Sequence, residues 1–357
     1  MPFWKRTWIA ASLALLFVGS GFLPSPQTAA AEPPPVSPEA DELAERAKLF
    51  VALLRRRAER ILEARRAPPP PLFSAFSGLQ QGYESNVNLD GSRRGDSFSE
   101  ESASFLFSPR LTPWLEGEVS YDLLADQYHD FTDSNLVSQT LRAVLQVRPH
   151  RQVEGELGYE FGTLRYPRAE DNSFLDHRWK TSLAWAQTSW LTHKVGWTYQ
   201  YREYDTRLAR DSDQNRLAGL AREDRRHVGS YEMRLRFPKL SARLGAEFYR
   251  NFSNDHFQDF YDWEDLRFRL LLTCPLTLRW VGAFTASAER KNYQSRTVPA
   301  IDVAQRDNLL TAAGSLIYQF HPHASLNYSV IYRHQDSNDP RLDFMDWVHQ
   351  VGVSVSF

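Results

Sequence analysis

The chain closes on Trp347–Phe357, WVHQVGVSVSF. Successive strand side chains point to opposite faces, so Trp347, His349, Val351, Val353, Val355 and Phe357 share one face, and Val348, Gln350, Gly352, Ser354 and Ser356 the other. The first face suits lipid and the second suits water. An edge strand of a soluble sandwich would show the same alternation, so the rest of the chain has to decide between them.

At the other end, Lys5 and Arg6 precede an apolar run from Trp8 to Leu23, and Ala29, Ala30 and Ala31 stand before Glu32. That is the layout of a secretory signal peptide spanning residues 1–31. Beyond it no run approaches the roughly 20 apolar residues of a membrane helix, and mean hydropathy is −0.50, which excludes a helical membrane protein. Phe, Trp and Tyr make up 13% of the chain, as suits a membrane barrel with aromatic girdles. A net charge of −2 gives no basis for a nucleic-acid partner. With Cys274 as the single cysteine, neither an intramolecular disulfide nor a cysteine zinc site is available, and no metal or cofactor is expected.

Residues 32–71 form a separate region. Ser37, Pro38 and Glu39 make an N-cap, first helical position and first-turn acid; Leu43, Ala47, Phe50, Leu54, Ala58 and Ile61 then recur at helical spacing. One amphipathic helix over 39–66 is predicted, with Arg55, Arg56, Arg57, Arg60, Arg65 and Arg66 toward its C-terminus, where they favour the helix dipole, and Pro68 to Pro71 ending it. Three roles stay open: docking a periplasmic export partner, plugging a barrel, or acting as a spacer.

From Leu72 to Phe357 the chain reads as alternating segments between turns. Fourteen are predicted, at 73–84, 98–108, 113–124, 136–148, 153–164, 176–187, 193–204, 227–237, 240–250, 264–273, 277–289, 307–319, 324–334 and 345–357. The connections alternate in length: compact turns such as Ser108–Pro113, Arg148–Gln152 and Pro238–Lys239 lie between long polar stretches such as Ser85–Asp96, Asp205–Arg226 and Arg290–Arg306. Short periplasmic turns and long external loops belong to outer-membrane barrels. The expectation is an all-β, transmembrane, antiparallel up-and-down barrel of fourteen strands over 72–357, with the N-terminus and its helix in the periplasm and lipid and lipopolysaccharide around it.

One face of each segment is apolar, as in Leu141, Ala143, Leu145 and Val147 or Val195, Trp197, Tyr199 and Tyr201, and the other carries charge. Glu116, Glu118, Asp122, Glu154, Glu156 and Glu160 form an expected acidic wall, with Arg142 and Arg148 on the strand between. Arg178, Lys180, Lys194, Arg202, Arg234, Arg236, Arg243, Arg267 and Arg269 form an expected basic wall, opposed by Glu232, Glu247 and Asp265. Basic walls favour anions in a pore; mutual salt-bridging that only fills the lumen is the competing reading.

No catalytic residue is expected. A lipid-face hydrolase needs a serine beside its histidine, and the neighbours of His177, Thr163 and Tyr201, include none. Asp126 with His129, Asp255 with His256, and His334 with Asp336 supply the side chains of an acidic dyad, but such loops are ordinary on barrels. His321 and His323 flank Pro322 as in a tight turn.

The C-terminal Trp347, Val351, Val353, Val355 and Phe357 resemble the signal by which outer-membrane barrels are recognised by the barrel assembly machinery and inserted. Phe76–Leu89, FSGLQQGYESNVNL, resembles the opening of barrels that follow periplasmic helical repeats, the surface lipoprotein assembly modifier family among them, and the layout is similar to barrels of exopolysaccharide secretion systems. In place of a repeat domain this chain has only the helix at 39–66. The resemblance implies export to the cell surface, and with the basic wall the expectation is a channel or export conduit for an anionic polymer, an exopolysaccharide, or a solute; the alternative is a surface-protein translocation factor or a non-conducting assembly scaffold.

Overall fold

The structure, a computed structural model, describes residues 72–89, 93–210, 215–254, 260–298 and 301–357, all of which lie in one compact unit, Ser37–Phe357. The helix expected at 39–66 lies outside the described residues. Fifteen strands follow in order: β1 Phe73–Glu84, β2 Asp96–Phe107, β3 Arg110–Thr112, β4 Leu115–Tyr128, β5 Leu136–His150, β6 Val153–Arg165, β7 Phe174–Ala186, β8 Leu191–Arg210, β9 Arg216–Phe237, β10 Leu240–Ser253, β11 Trp263–Pro275, β12 Trp280–Val298, β13 Val303–His321, β14 Ala324–Ser337 and β15 Phe344–Ser356.

Each long strand pairs antiparallel with the next, β2 pairs with β4, and β15 returns to β1, so fourteen strands close a barrel. β3 is a short spur paired with β4, inside what the sequence presents as a plain turn at Ser108–Pro113. Closure leaves no unpaired edge, the condition for crossing hydrocarbon by strands. Among the described residues no helix is long and apolar enough to do so.

The seam between first and last strands is tight. Gly352 on β15 pairs with Gln80 on β1, and a Cβ at Gly352 would lie 2.3 Å from Gln80 Cγ and 2.4 Å from the Leu79 carbonyl oxygen. Only glycine permits that approach. Ala75 and Phe357 exchange backbone hydrogen bonds of 3.0 and 2.9 Å, tying the chain end into the ladder.

The outer face is the apolar one. Val119, Leu141, Leu157, Trp179, Trp197, Tyr231, Phe268, Leu326 and Val351 are exposed along it, as lipid-facing side chains must be. Aromatic pairs mark its two rims: Trp190 with Phe237 and Trp280 with Tyr318 near the short turns, Tyr332 with Trp347 toward the long connections.

Four strands run further than the alternation predicts. β8 and β9 extend to Arg210 and from Arg216, and β12 and β13 to Val298 and from Val303, so the polar stretches Asp205–Arg226 and Arg290–Arg306 are mostly hairpin, not loop. A strand that leaves the lipid keeps its hydrogen-bond ladder but no longer needs an apolar face. Its sequence signature vanishes while its geometry continues.

Candidate functional site

All nine residues of the expected basic wall occupy inward positions on β7 to β11. The acids facing them are more numerous than expected, because Asp176, Asp224 and Glu289 join Glu232, Glu247 and Asp265. Toward the long connections the charges are buried and interlocked. Arg202 reaches Asp176 at 3.4 Å, Arg222 and Arg226 reach Asp224 at 2.8 and 3.2 Å, and Arg267 reaches Asp265 at 3.1 Å and also pairs with Glu289. Arg226 Nε donates to Asn251 Oδ1 at 2.7 Å. Arg222, Asp224 and Arg226 fall in the polar stretch Asp205–Arg226, which the sequence presents as a connection; their period-2 spacing, in phase with Glu232 and Arg234, is the signal that extends the strand.

From mid-barrel toward the short turns the pairs are part-exposed. Arg178 and Lys180 meet Glu160 at 2.8 and 2.6 Å, and Lys194 meets Glu156 at 2.8 Å. Arg269 meets Glu247 at 3.0 Å, Arg243 approaches Glu232 at 3.7 Å, and Arg234 also pairs with Glu232. Arg236 is exposed and makes no ion pair among the described residues.

The acidic wall divides. Arg148 on β5 bridges Glu116 on β4 at 2.7 Å and Glu154 on β6 at 2.8 Å, the cross-strand ladder the phase implies. Glu156 and Glu160 instead spend their charge chiefly on β7 and β8, with Arg142 a distant partner of Glu156 at 3.5 Å. Asp122 accepts from Ser104 Oγ at 2.6 Å, and Glu118 has no ion pair among the described residues. Acid and base are therefore stitched together where β6 meets β7, and an excess of base remains on β7 to β11.

The rest of the inner wall differs in kind. Val281, Thr285, Ile317, Asn327 and Ser329 on β12 to β14 are buried, as are Gln350 on β15 and Gln80 on β1. Several of their polar atoms, Gln80 Oε1, Asn327 Oδ1 and Gln350 Oε1, lack a hydrogen-bond partner. At the long-connection end Arg333 on β14 clasps Glu84 on β1 and Asp346 on β15, both at 2.5 Å, and Tyr128 on β4 also bonds Glu84. Solvent reaches the interior chiefly along the charged side chains of β4 to β11.

Among the described residues, the histidines of the candidate hydrolytic groupings make other contacts. His129 contacts Asp130 at 2.9 Å, not Asp126, which is buried on the inner face. His334 Nδ1 lies 3.2 Å from the Phe344 carbonyl oxygen. His177 lies among aromatic rings, 2.8 Å from Tyr159 Oη. Asp255 and His256 lie outside the described residues. Asp96, His129 and Asp130 bring three ligand-type atoms within 4.8 Å of one another, but the Asp96 carboxylate already accepts the N–H groups of Ser97, Asp130 and Phe131, a loop lock. His323 lies over Phe357, with ring centroids 6.0 Å apart. Of the expected assembly signal, Trp347, Val351, Val353 and Phe357 are exposed on the outer face and Val355 is half-buried there.

Closed strands, an apolar exterior and a charged interior define a transmembrane β-barrel. No protein-family model matches the sequence, and no curated protein matches it. Among solved structures the chain is similar to an anion-selective porin from Comamonas acidovorans, at 10% identity and TM-score 0.45, over 80% of this chain and 98% of that one. It is also similar to a bacterial polysaccharide outer membrane secretin, at 13% identity and TM-score 0.41 over 79% and 97%, and to OmpT of Vibrio cholerae, at 7% and 0.46 over 81% and 99%.

Proposed function

We propose that the barrel is an outer-membrane conduit for an anionic solute or polymer, an exopolysaccharide being the polymer class that suits it, and that it carries no catalytic activity. The supporting observation is the excess of guanidinium and ammonium groups on β7 to β11 in the part of the lumen that solvent reaches. An arginine paired with one carboxylate still has N–H donors left from its five. Arg243 and Arg269, held in place by their partners, and Arg236, with no ion pair among the described residues, can therefore offer hydrogen bonds to passing carboxylates or hydroxyls. The opposing side, with Glu118 and Asp122, repels the same solute and keeps it on the basic track.

In this reading residues 1–31 are a signal peptide, and 32–71 remain in the periplasm, where helix 39–66 docks an export partner. The long connections then face outward. Blockade of single-channel current separates an anionic track from a neutral one. A polyuronate is expected to interrupt current at lower concentration than dextran of equal length, and Arg236→Gln, Arg243→Gln and Arg269→Gln together to remove the difference. Equal blockade by both polymers in the unmodified protein contradicts the anionic track.

A second reading, a translocation factor or scaffold that conducts nothing, is favoured by the buried inner wall of β12 to β15 and β1. Its expectation is zero conductance from protein that is fully folded.

A further inference from the structure

We infer that the outer face of β9 to β13 is a seat for a phosphorylated, acylated glycolipid of the lipid A type. The inference rests on the reading that the long connections lie outside the cell. Ala246, Ala286 and Ala288 floor a groove of about 430 Å³ on the lipid side, walled by larger side chains such as Tyr231, Phe268 and Leu310. The floor is low because alanines are paired across the ladder with bulky neighbours: Ala288 stands between Phe268 and Leu310. The volume falls within the roughly 300–1,000 Å³ usual for small-molecule sites, and the lining suits hydrocarbon.

Charge supplies the second half of the site. The next outward position beyond Ala288 on β12 is Arg290, which is exposed and makes no ion pair among the described residues. Beside it on β13 is Asn308, and one outward position further is Arg306, exposed, with its Nε donating to Asn292 Oδ1 at 3.0 Å. On β10, beyond Ala246 and Phe248, Arg250 is exposed and only loosely held by Glu264 at 3.6 Å. Arg165 on β6 stands apart, Arg216 pairs with Asp171, and Arg225 on β9 is flanked by the outward Glu203 and Glu223. Guanidinium groups bind phosphate bidentately; Arg290 one outward position above the apolar trough, and Arg250 and Arg306 two positions above it with Glu264 and Asn292 between them, match a phosphate headgroup with acyl chains below it.

Native mass spectrometry of the folded protein in detergent, titrated with bisphosphorylated lipid A or with phosphatidylethanolamine, tests this. The unmodified protein is expected to prefer lipid A by about tenfold or more. Arg250→Gln, Arg290→Gln and Arg306→Gln together should abolish the preference, Ala288→Phe should weaken lipid A binding by filling the groove, and Arg165→Gln should change nothing. Folding of each variant is checked by its heat-dependent shift on gels, and Arg290→Gln alone serves if the triple variant does not fold. Retained preference in the folded arginine variant, undiminished binding by Ala288→Phe, or an equal loss from Arg165→Gln overturns the assignment. Binding in micelles is indifferent to membrane orientation and to conductance, so a failure here is distinct from a failure of the conduit reading.

Discussion

Three lumen arginines on two strands should respond differently to the same change, because burial rather than charge sets the cost. In Arg267→Gln, Asp265 and Glu289 lose their shared cation; the three side chains are only 7, 0 and 6% exposed. Removing one partner from a buried ion cluster leaves uncompensated charge and costs about 3–5 kcal/mol. Arg269, 35% exposed against a 19% exposed Glu247, is screened by lumen water, so Arg269→Gln should cost about 1 kcal/mol or less. Arg236→Gln, at an exposed position with no ion pair among the described residues, should stay within about 0.5 kcal/mol. Urea unfolding of refolded protein in lipid vesicles, followed by tryptophan fluorescence, measures the series. Equal losses for all three, or a loss below about 1 kcal/mol for Arg267→Gln, would refute the reasoning that the long-connection end of the lumen is a dry ionic framework and the short-turn end a wet one.

The remaining expectations test the seam, the chain end and the long connections. Gly352→Val should block closure of β15 on β1 and abolish the heat-modifiable folded band, whereas Gly314→Ala, where an added Cβ lies 3.8 Å from Val330, should leave it intact. Deleting Val355–Phe357 removes the terminal ladder bonds and lipid-face area, and folded protein should disappear from the outer membrane fraction. Asp339, held below the usual carboxylate range by a hydrogen bond from Arg341, also accepts the Arg341 backbone N–H at 3.2 Å. A lowered folded pKa contributes stability above the unfolded value of about 3.9 and loses it as pH falls through the folded value. Hydrogen exchange at 338–343, corrected for intrinsic rate, should therefore rise only in acid, and Asp339→Asn should make it fast and pH-independent. Trypsin added to intact cells should cut at the exposed Arg93 or Arg94 in the β1–β2 connection, and protection there would reverse the proposed orientation.

The strands within the lipid were legible because lipid imposes a period-2 apolar stripe, as in Val195, Trp197 and Tyr199. Inward phase followed from the same stripe, which is why the Glu116–Arg148–Glu154 ladder could be anticipated. Two things escaped. Arg222, Asp224 and Arg226 lie where β9 has no apolar face, so only their period-2 charge spacing marks them as strand. The clasp of Arg333 with Glu84 and Asp346 depends on the register between the two ends of the chain, and no local pattern encodes it. The partition of Glu156 and Glu160 toward β7 and β8 rather than β5 likewise required geometry, since both neighbouring sides offer cations.

The central claim is that a charged, basic-sided path crosses the membrane through this barrel. The reversal potential of the purified full-length protein in a planar bilayer under a salt gradient tests it directly. Measurable conductance is expected, with a reversal potential on the anion side that Arg236→Gln, Arg243→Gln and Arg269→Gln together move toward zero. A folded protein that passes no current, or one that prefers cations, would contradict it.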